Sequence, residues 1–130
     1  MGRKIVLIQD DMDCQEIMRI ILENDGFEVL SPPCKQELFK ANPDYDLAII
    51  DEYAVGKTGL QICKQLKEDE ETCNIPVVLS SAGTELESAA ISCHADRYLV
   101  KPFDINYFLK LVNSLPGKNH LPGASAANHH

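Results

Sequence analysis

Asp51 closes the most apolar run of the chain, Leu47-Ala48-Ile49-Ile50. Two other apolar runs end in residues able to do chemistry. Ile5-Val6-Leu7-Ile8 leads into Gln9-Asp10-Asp11, and Tyr98-Leu99-Val100 leads into Lys101-Pro102. Carboxylates gathered near a lysine suit two ligands at once: a hard divalent cation, which prefers oxygen donors, and a phosphoryl group, whose oxygens take charge-assisted hydrogen bonds from an ammonium. Each residue alone has a plainer explanation. Asp51 could cap a turn, Lys101 could be a solvated surface residue, and Asp11 and Asp13 suit the N-terminal charge of a helix. What favours chemistry is that all three runs deliver polar groups at their C-terminal ends.

The elements that must position these residues alternate. Strands are expected at Ile5–Ile8, Phe27–Ser31, Leu47–Ile50, Val77–Ser80 and Tyr98–Val100, with Pro76 at the entrance of the fourth, where a missing N–H does least harm. Continuous apolar runs of this length suit strands buried on both faces. Between them lie helical patterns. Asp13-Cys14-Gln15-Glu16 resembles a capping box and opens a helix to about Asn24, with Ile17, Ile20, Ile21 and Leu22 as its apolar face and Asp25-Gly26 as its stop. A short helix is expected over Lys35–Ala41, one marked by Leu60, Cys63 and Leu66, an Ala-rich one marked by Leu86, Ala89, Ala90 and Cys93, and a last one capped by Asp104 that carries Ile105, Phe108, Leu111 and Val112. Five strands alternating with five helices predict an α/β fold, a three-layer αβα sandwich around a parallel sheet. Ligands of such sheets bind outside the carboxyl ends of the strands, where Asp51 falls.

The 130 residues suffice for one domain, expected over 1–116, and the 45% hydrophobic content supports a core without staples. After Pro116 periodicity ends, and 117–130 reads as a disordered tail or linker, with His129-His130 as tag residues. No apolar stretch approaches the roughly 20 residues that span a bilayer, and no secretory signal opens the chain, so a cytoplasmic protein is expected. The five cysteines are spread without a C-x-x-C pair, which favours reduced thiols over disulfides or zinc. A net charge of −8 argues against direct nucleic-acid binding.

With these residues in view, the chain resembles the receiver domains of two-component response regulators over about residues 3–115. The motifs match in order and spacing: an acidic group after the first strand, Asp51 with Gly59 eight residues on, Ser81-Ala82 after the fourth strand, and Tyr98-Leu99-Val100-Lys101-Pro102-Phe103 at the fifth. The resemblance implies a flavodoxin-like sheet of order 2-1-3-4-5 and a set of roles. Asp51 would be the phosphoacceptor. Asp10, Asp51 and the backbone carbonyl of Tyr53 would hold Mg²⁺ or Mn²⁺, with Gln9 acting through a water. Lys101, the Ser81 hydroxyl and the Ala82 N–H would hold the phosphoryl oxygens, and Tyr98 would be the switch aromatic. The implied partners are a histidine kinase or histidine phosphotransfer protein and a downstream protein or effector domain, with no direct nucleic acid and no membrane. Such a protein is a signalling phosphoacceptor rather than an enzyme acting on other substrates.

Three departures from the family pattern stand out. One register places Gln9 at the first acid position and Asp10 at the second; the other pairs Asp10 with Asp11. Gln9 would remove one negative charge from the metal site. Val55 stands where many members have proline, and Gly56-Lys57-Thr58 mimics the end of a nucleotide-binding loop, but its required first glycine falls on Asp51, so that reading fails. The stretch from Ser81 to Lys101 is about two residues short for the family, and Pro32–Ala41 is trimmed. Gln9 keeps a second reading open, a degenerate receiver that acts as a phosphorylation-independent interaction module. A flavodoxin-like cofactor binder is a third, and it lacks a phosphate loop after the first strand.

Overall fold

The computed structural model describes residues 3–9, 11–30, 45–52 and 59–115. Strands β1 (Lys4–Ile8), β2 (Glu28–Leu30), β3 (Leu47–Asp51), β4 (Val77–Ser81) and β5 (Arg97–Val100) form one sheet in the order β2-β1-β3-β4-β5, every pair parallel. Helices α1 (Met12–Asn24), α2 (Gly59–Glu68), α3 (Leu86–Cys93) and α4 (Ile105–Asn113) cover it. The short helix expected over Lys35–Ala41 lies outside the described residues, as does the tail expected over 117–130.

Side-chain alternation divides the core in two. Val6, Ala48, Ile50, Val77 and Leu79 point to one face and meet Ile62, Cys63 and Leu66 of α2 and Leu86, Ala90 and Cys93 of α3. Ile5, Leu7, Leu47, Ile49, Val78 and Leu99 point to the other and meet Met18 and Leu22 of α1 and Phe108, Leu111 and Val112 of α4. β1, β3 and β4 are sealed on both faces, which explains their unbroken apolar runs, whereas β5 at the sheet edge buries only Leu99 and leaves Tyr98 and Val100 exposed, against the expectation for that run. Each fully buried large side chain contributes about 1.5–3 kcal/mol by leaving water.

Two local expectations for α1 are corrected. The cap is Asp11, not Asp13: Asp11 has extended backbone at φ −94, ψ 120, and its carboxylate accepts from the Asp13 N–H at 3.1 Å. Asp13 sits inside the first turn. The apolar face is also narrower than the composition suggests. Met18 and Leu22, one turn apart, are buried, whereas Ile17 and Ile20 are about half exposed. The helix stops as expected, at Asp25, with Gly26 at φ +97 where a side chain would be strained. Asp104 caps α4 through the Tyr107 N–H at 2.9 Å, also as expected.

Gly59, the first residue of α2, turns back onto the end of β3. A Cβ there would lie 1.9 Å from the Asp51 carbonyl oxygen and 2.7 Å from that of Glu52. Only glycine allows so close a return, and the eight-residue spacing to Asp51 therefore has a steric cause.

Candidate functional site

The sheet's period of two carries one face past its apolar core and into polar residues at the C-terminal edge. Leu7 is followed on that face by Gln9, Ile49 by Asp51, Val78 by Ser80, and Leu99 by Lys101. The register pairs Asp51 with Ser80 directly. All four side chains connect. Lys101 Nζ donates to Asp51 Oδ1 at 2.7 Å and to Gln9 Oε1 at 3.2 Å. Gln9 Nε2 donates to Ser80 Oγ and to the Ile8 carbonyl, both at 3.1 Å. Asp51 is 4% exposed and Gln9 7%, so the ion pair lies in a poorly solvated setting where charge interactions are stronger than in water. Isolating either charge there would be costly.

The first turn of α1 adds Cys14, whose Sγ lies 3.9 Å from Lys101 Nζ and 3.7 Å from Gln9 Oε1. Burial is the main cause that raises the Cys14 thiol pKa, opposed by the Lys101 charge. This thiol, Lys101, Ala82, Asp11 and Phe103 border an open cleft of about 600 Å³ between α1 and the β5–α4 connection. The cleft gives a ligand a route to the edge of the Lys101 site. The Lys101–Pro102 peptide bond is cis.

The structure brings together only part of the expected residue set. Asp51, Lys101 and Gln9 share one cluster. Ser81, the next residue after Ser80, is 1% exposed, and its Oγ accepts from the Gly83 N–H at 2.9 Å. Ala82 is exposed, and Tyr98 on the edge strand β5 is 37% exposed. Asp10 and Tyr53 lie outside the described residues. The carboxylate of Asp51 is a hard oxygen donor of the kind Mg²⁺ takes. Among the described residues, no three His, Cys, Asp or Glu side chains cluster as a metal site, and Asp10 and Tyr53, two of the expected ligands, are not among them.

Two participants were not singled out from sequence, Ser80 and Cys14. Ser80 had a legible signal: counting alternation from buried Val78 puts Ser80, not Ser81, on the face of Asp51. Cys14 had none, because its place depends on how α1 approaches β5.

The family model of the response regulator receiver domain matches residues 5–113. The chain belongs to the response regulator receiver family. It is 30% identical over 122 residues to the response regulator ArlR of Staphylococcus saprophyticus, covering 89% of this chain and 55% of ArlR. It is 32% identical over 111 residues to the phosphate regulon transcriptional regulatory protein PhoB of Escherichia coli, covering 79% of this chain and 47% of PhoB. The receiver chain thus spans about half the length of these curated relatives. Among solved structures, a putative response regulator from Chloroflexus aurantiacus superposes with a TM-score of 0.77 at 22% identity, covering 88% of this chain and 97% of that one. The receiver domain of the sensor histidine kinase PA1611 from Pseudomonas aeruginosa, described with a magnesium ion coordinated in its active site cleft, gives 0.76 at 19%, with 88% and 97% covered. At those identities the structural likeness speaks for the fold alone.

Proposed function

We propose that this receiver takes a phosphoryl group onto Asp51, in a Mg²⁺-dependent reaction, from phosphohistidine on a histidine kinase or phosphotransfer protein. The observation that carries the reading is the 2.7 Å contact between Lys101 Nζ and the nearly buried carboxylate of Asp51. A carboxylate oxygen attacks phosphorus, the phosphorus–nitrogen bond of the donor breaks, and the imidazole leaves. Lys101 stays close enough to neutralise the incoming oxygens. Ser81 supplies a hydroxyl, which keeps its proton to donate while it accepts from Gly83, and the Ala82 N–H supplies a further donor. Mg²⁺, held by Asp10, Asp51 and the Tyr53 carbonyl, would offset the charge of the attacking carboxylate and the phosphoryl oxygens. The Pseudomonas aeruginosa receiver of the same fold is described with a magnesium ion in its active site cleft.

The output follows from the edge of the sheet. Exposed Tyr98 on β5 turns inward when Ser81 moves toward the phosphoryl group, and the α3–β5 face is read by a downstream protein or effector domain. A net charge of −8 directs that output to protein rather than to nucleic acid. No helix among the described residues is long and apolar enough to cross a membrane.

A specific observation favours a second reading. The Gln9 amide is engaged by Lys101, Ser80 and Ile8, which, in the register that places Gln9 at the first acid position, suits a receiver that signals by contact without phosphate. Intact mass after incubation with acetyl phosphate separates the two. The phosphoacceptor reading expects one added phosphoryl mass that requires Mg²⁺ and is lost in Asp51→Asn. No added mass at any Mg²⁺ concentration would leave the interaction module.

A further inference from the structure

Gln9 can be oriented from chemistry alone. An ammonium has donors and no acceptor, so the amide atom 3.2 Å from Lys101 Nζ is the oxygen. A backbone carbonyl only accepts, so the atom 3.1 Å from the Ile8 oxygen is the nitrogen. Both ends of the amide are then assigned independently, and they agree. Nε2 has two hydrogens. One goes to Ile8, and the other faces Ser80 Oγ at 3.1 Å, closer than the 3.4 Å between that hydroxyl and Oε1.

Ser80 is fully buried near the C-terminal end of β4, in register with Asp51. A hydroxyl at such a position must be satisfied from within the protein, and it reaches Gln9. The four groups form one chain from Ser80 to Gln9 to Lys101 to Asp51. We infer that Ser80 is a positioning residue: its hydroxyl fixes the Gln9 amide with the carbonyl toward Lys101, and so holds the ammonium against Asp51. The functional half of this assignment rests on the phosphoacceptor reading above.

The physical consequence is specific. Without the Ser80 oxygen, one hydrogen of a nearly buried amide loses its acceptor. The amide nitrogen is then held by the Ile8 carbonyl alone, and the Oε1 contact with Lys101 loosens. If its NH₂ comes to face the ammonium instead, two donors oppose each other. Lys101 then loses one of its two oxygen partners among the described residues and no longer stays fixed over Asp51. A serine that only filled space would have none of these effects beyond a loss of stability.

The test uses the full chain, labelled with ¹⁵N, in wild type, Ser80→Ala, Ser80→Thr, Gln9→Ala and the double variant Ser80→Ala/Gln9→Ala. Two readouts are taken: the Gln9 Nε2 and Lys101 Nζ resonances, and the rate of phosphoryl labelling by acetyl phosphate with Mg²⁺. Ser80→Ala is expected to move both resonances and to slow labelling by roughly five- to tenfold, the equivalent of one hydrogen bond. Ser80→Thr, which keeps the hydroxyl, restores both. In the Gln9→Ala background Ser80→Ala has little further effect on the rate, because the link it acts through is gone; this arm decides the matter if the threonine variant does not fold. Unmoved resonances in Ser80→Ala, or equal slowing with and without Gln9, would overturn the assignment. If wild type takes no label while the resonances respond as described, the phosphoacceptor reading fails and the positioning of Lys101 by Ser80 stands.

Discussion

Among the described residues Lys101 meets two oxygens with one ammonium, and the two differ in kind. Asp51 Oδ1, at 2.7 Å, belongs to a carboxylate that is 4% exposed. Gln9 Oε1, at 3.2 Å, belongs to a neutral amide. The attraction to Asp51 offsets the desolvation of both charges, so the pair is better viewed as mutual compensation than as a source of net stability. Removing one partner alone should therefore hurt more than removing both. Lys101→Met is expected to cost about 3 kcal/mol in urea denaturation, because the carboxylate stays buried after its ammonium is gone. Adding Asp51→Asn should return much of that loss. Strictly additive costs would show that the two groups are not energetically coupled. The same residue scale shows where sequence reading stopped short. Gln9, Asp51 and Lys101 could be grouped because each follows an apolar run. Ser80 and Ser81 are adjacent serines that only the strand's alternation distinguishes.

At the scale of elements, α1 shows how a cap is misplaced. Asp13-Cys14-Gln15-Glu16 has the residue types of a capping box, yet Asp11 has the extended backbone and the hydrogen bond to the Asp13 N–H. Two acids two residues apart compete for one role, and the backbone entering from β1 decides between them. Asp11→Ala should cost about 1 kcal/mol of stability, the usual value of a lost cap. Asp13→Ala should cost only a few tenths, since only its charge near the helix N-terminus is lost. Thermal or chemical unfolding of the two variants checks this, and a larger loss for Asp13→Ala would contradict the cap assignment. The strands were more legible than the helices because runs buried on both faces leave little ambiguity. Structure extends four of them by a residue at an end, to Lys4, Asp51, Ser81 and Arg97, and starts β2 at Glu28 rather than Phe27. The apolar face of α1 was less legible. Composition counted four isoleucines and leucines, whereas the core takes Met18 and Leu22 and leaves Ile17 and Ile20 at the surface.

At the scale of the whole molecule, the alternation of strands and helices was enough to predict an α/β sandwich, and the family resemblance supplied the strand order. The parallel sheet β2-β1-β3-β4-β5 agrees with both. Strand ends are set by hydrophobic runs, and strand ends place the site. What sequence could not supply was the approach of α1 to the β5–α4 connection, which forms the cleft of about 600 Å³ and brings Cys14 beside Lys101. That approach depends on packing between Met18 and Leu22 on α1 and Phe108, Leu111 and Val112 on α4 across the same core, a long-range property that no local pattern carries. Mapping the modified residue decides whether Asp51 is the phosphoacceptor. The chain is treated with acetyl phosphate and Mg²⁺, reduced with borohydride to convert any acyl phosphate to the corresponding alcohol, digested and sequenced by mass spectrometry. Homoserine is expected at position 51 and at no other aspartate. Unreduced Asp51 in a protein that has gained a phosphoryl group, with the label on another residue, would contradict that assignment.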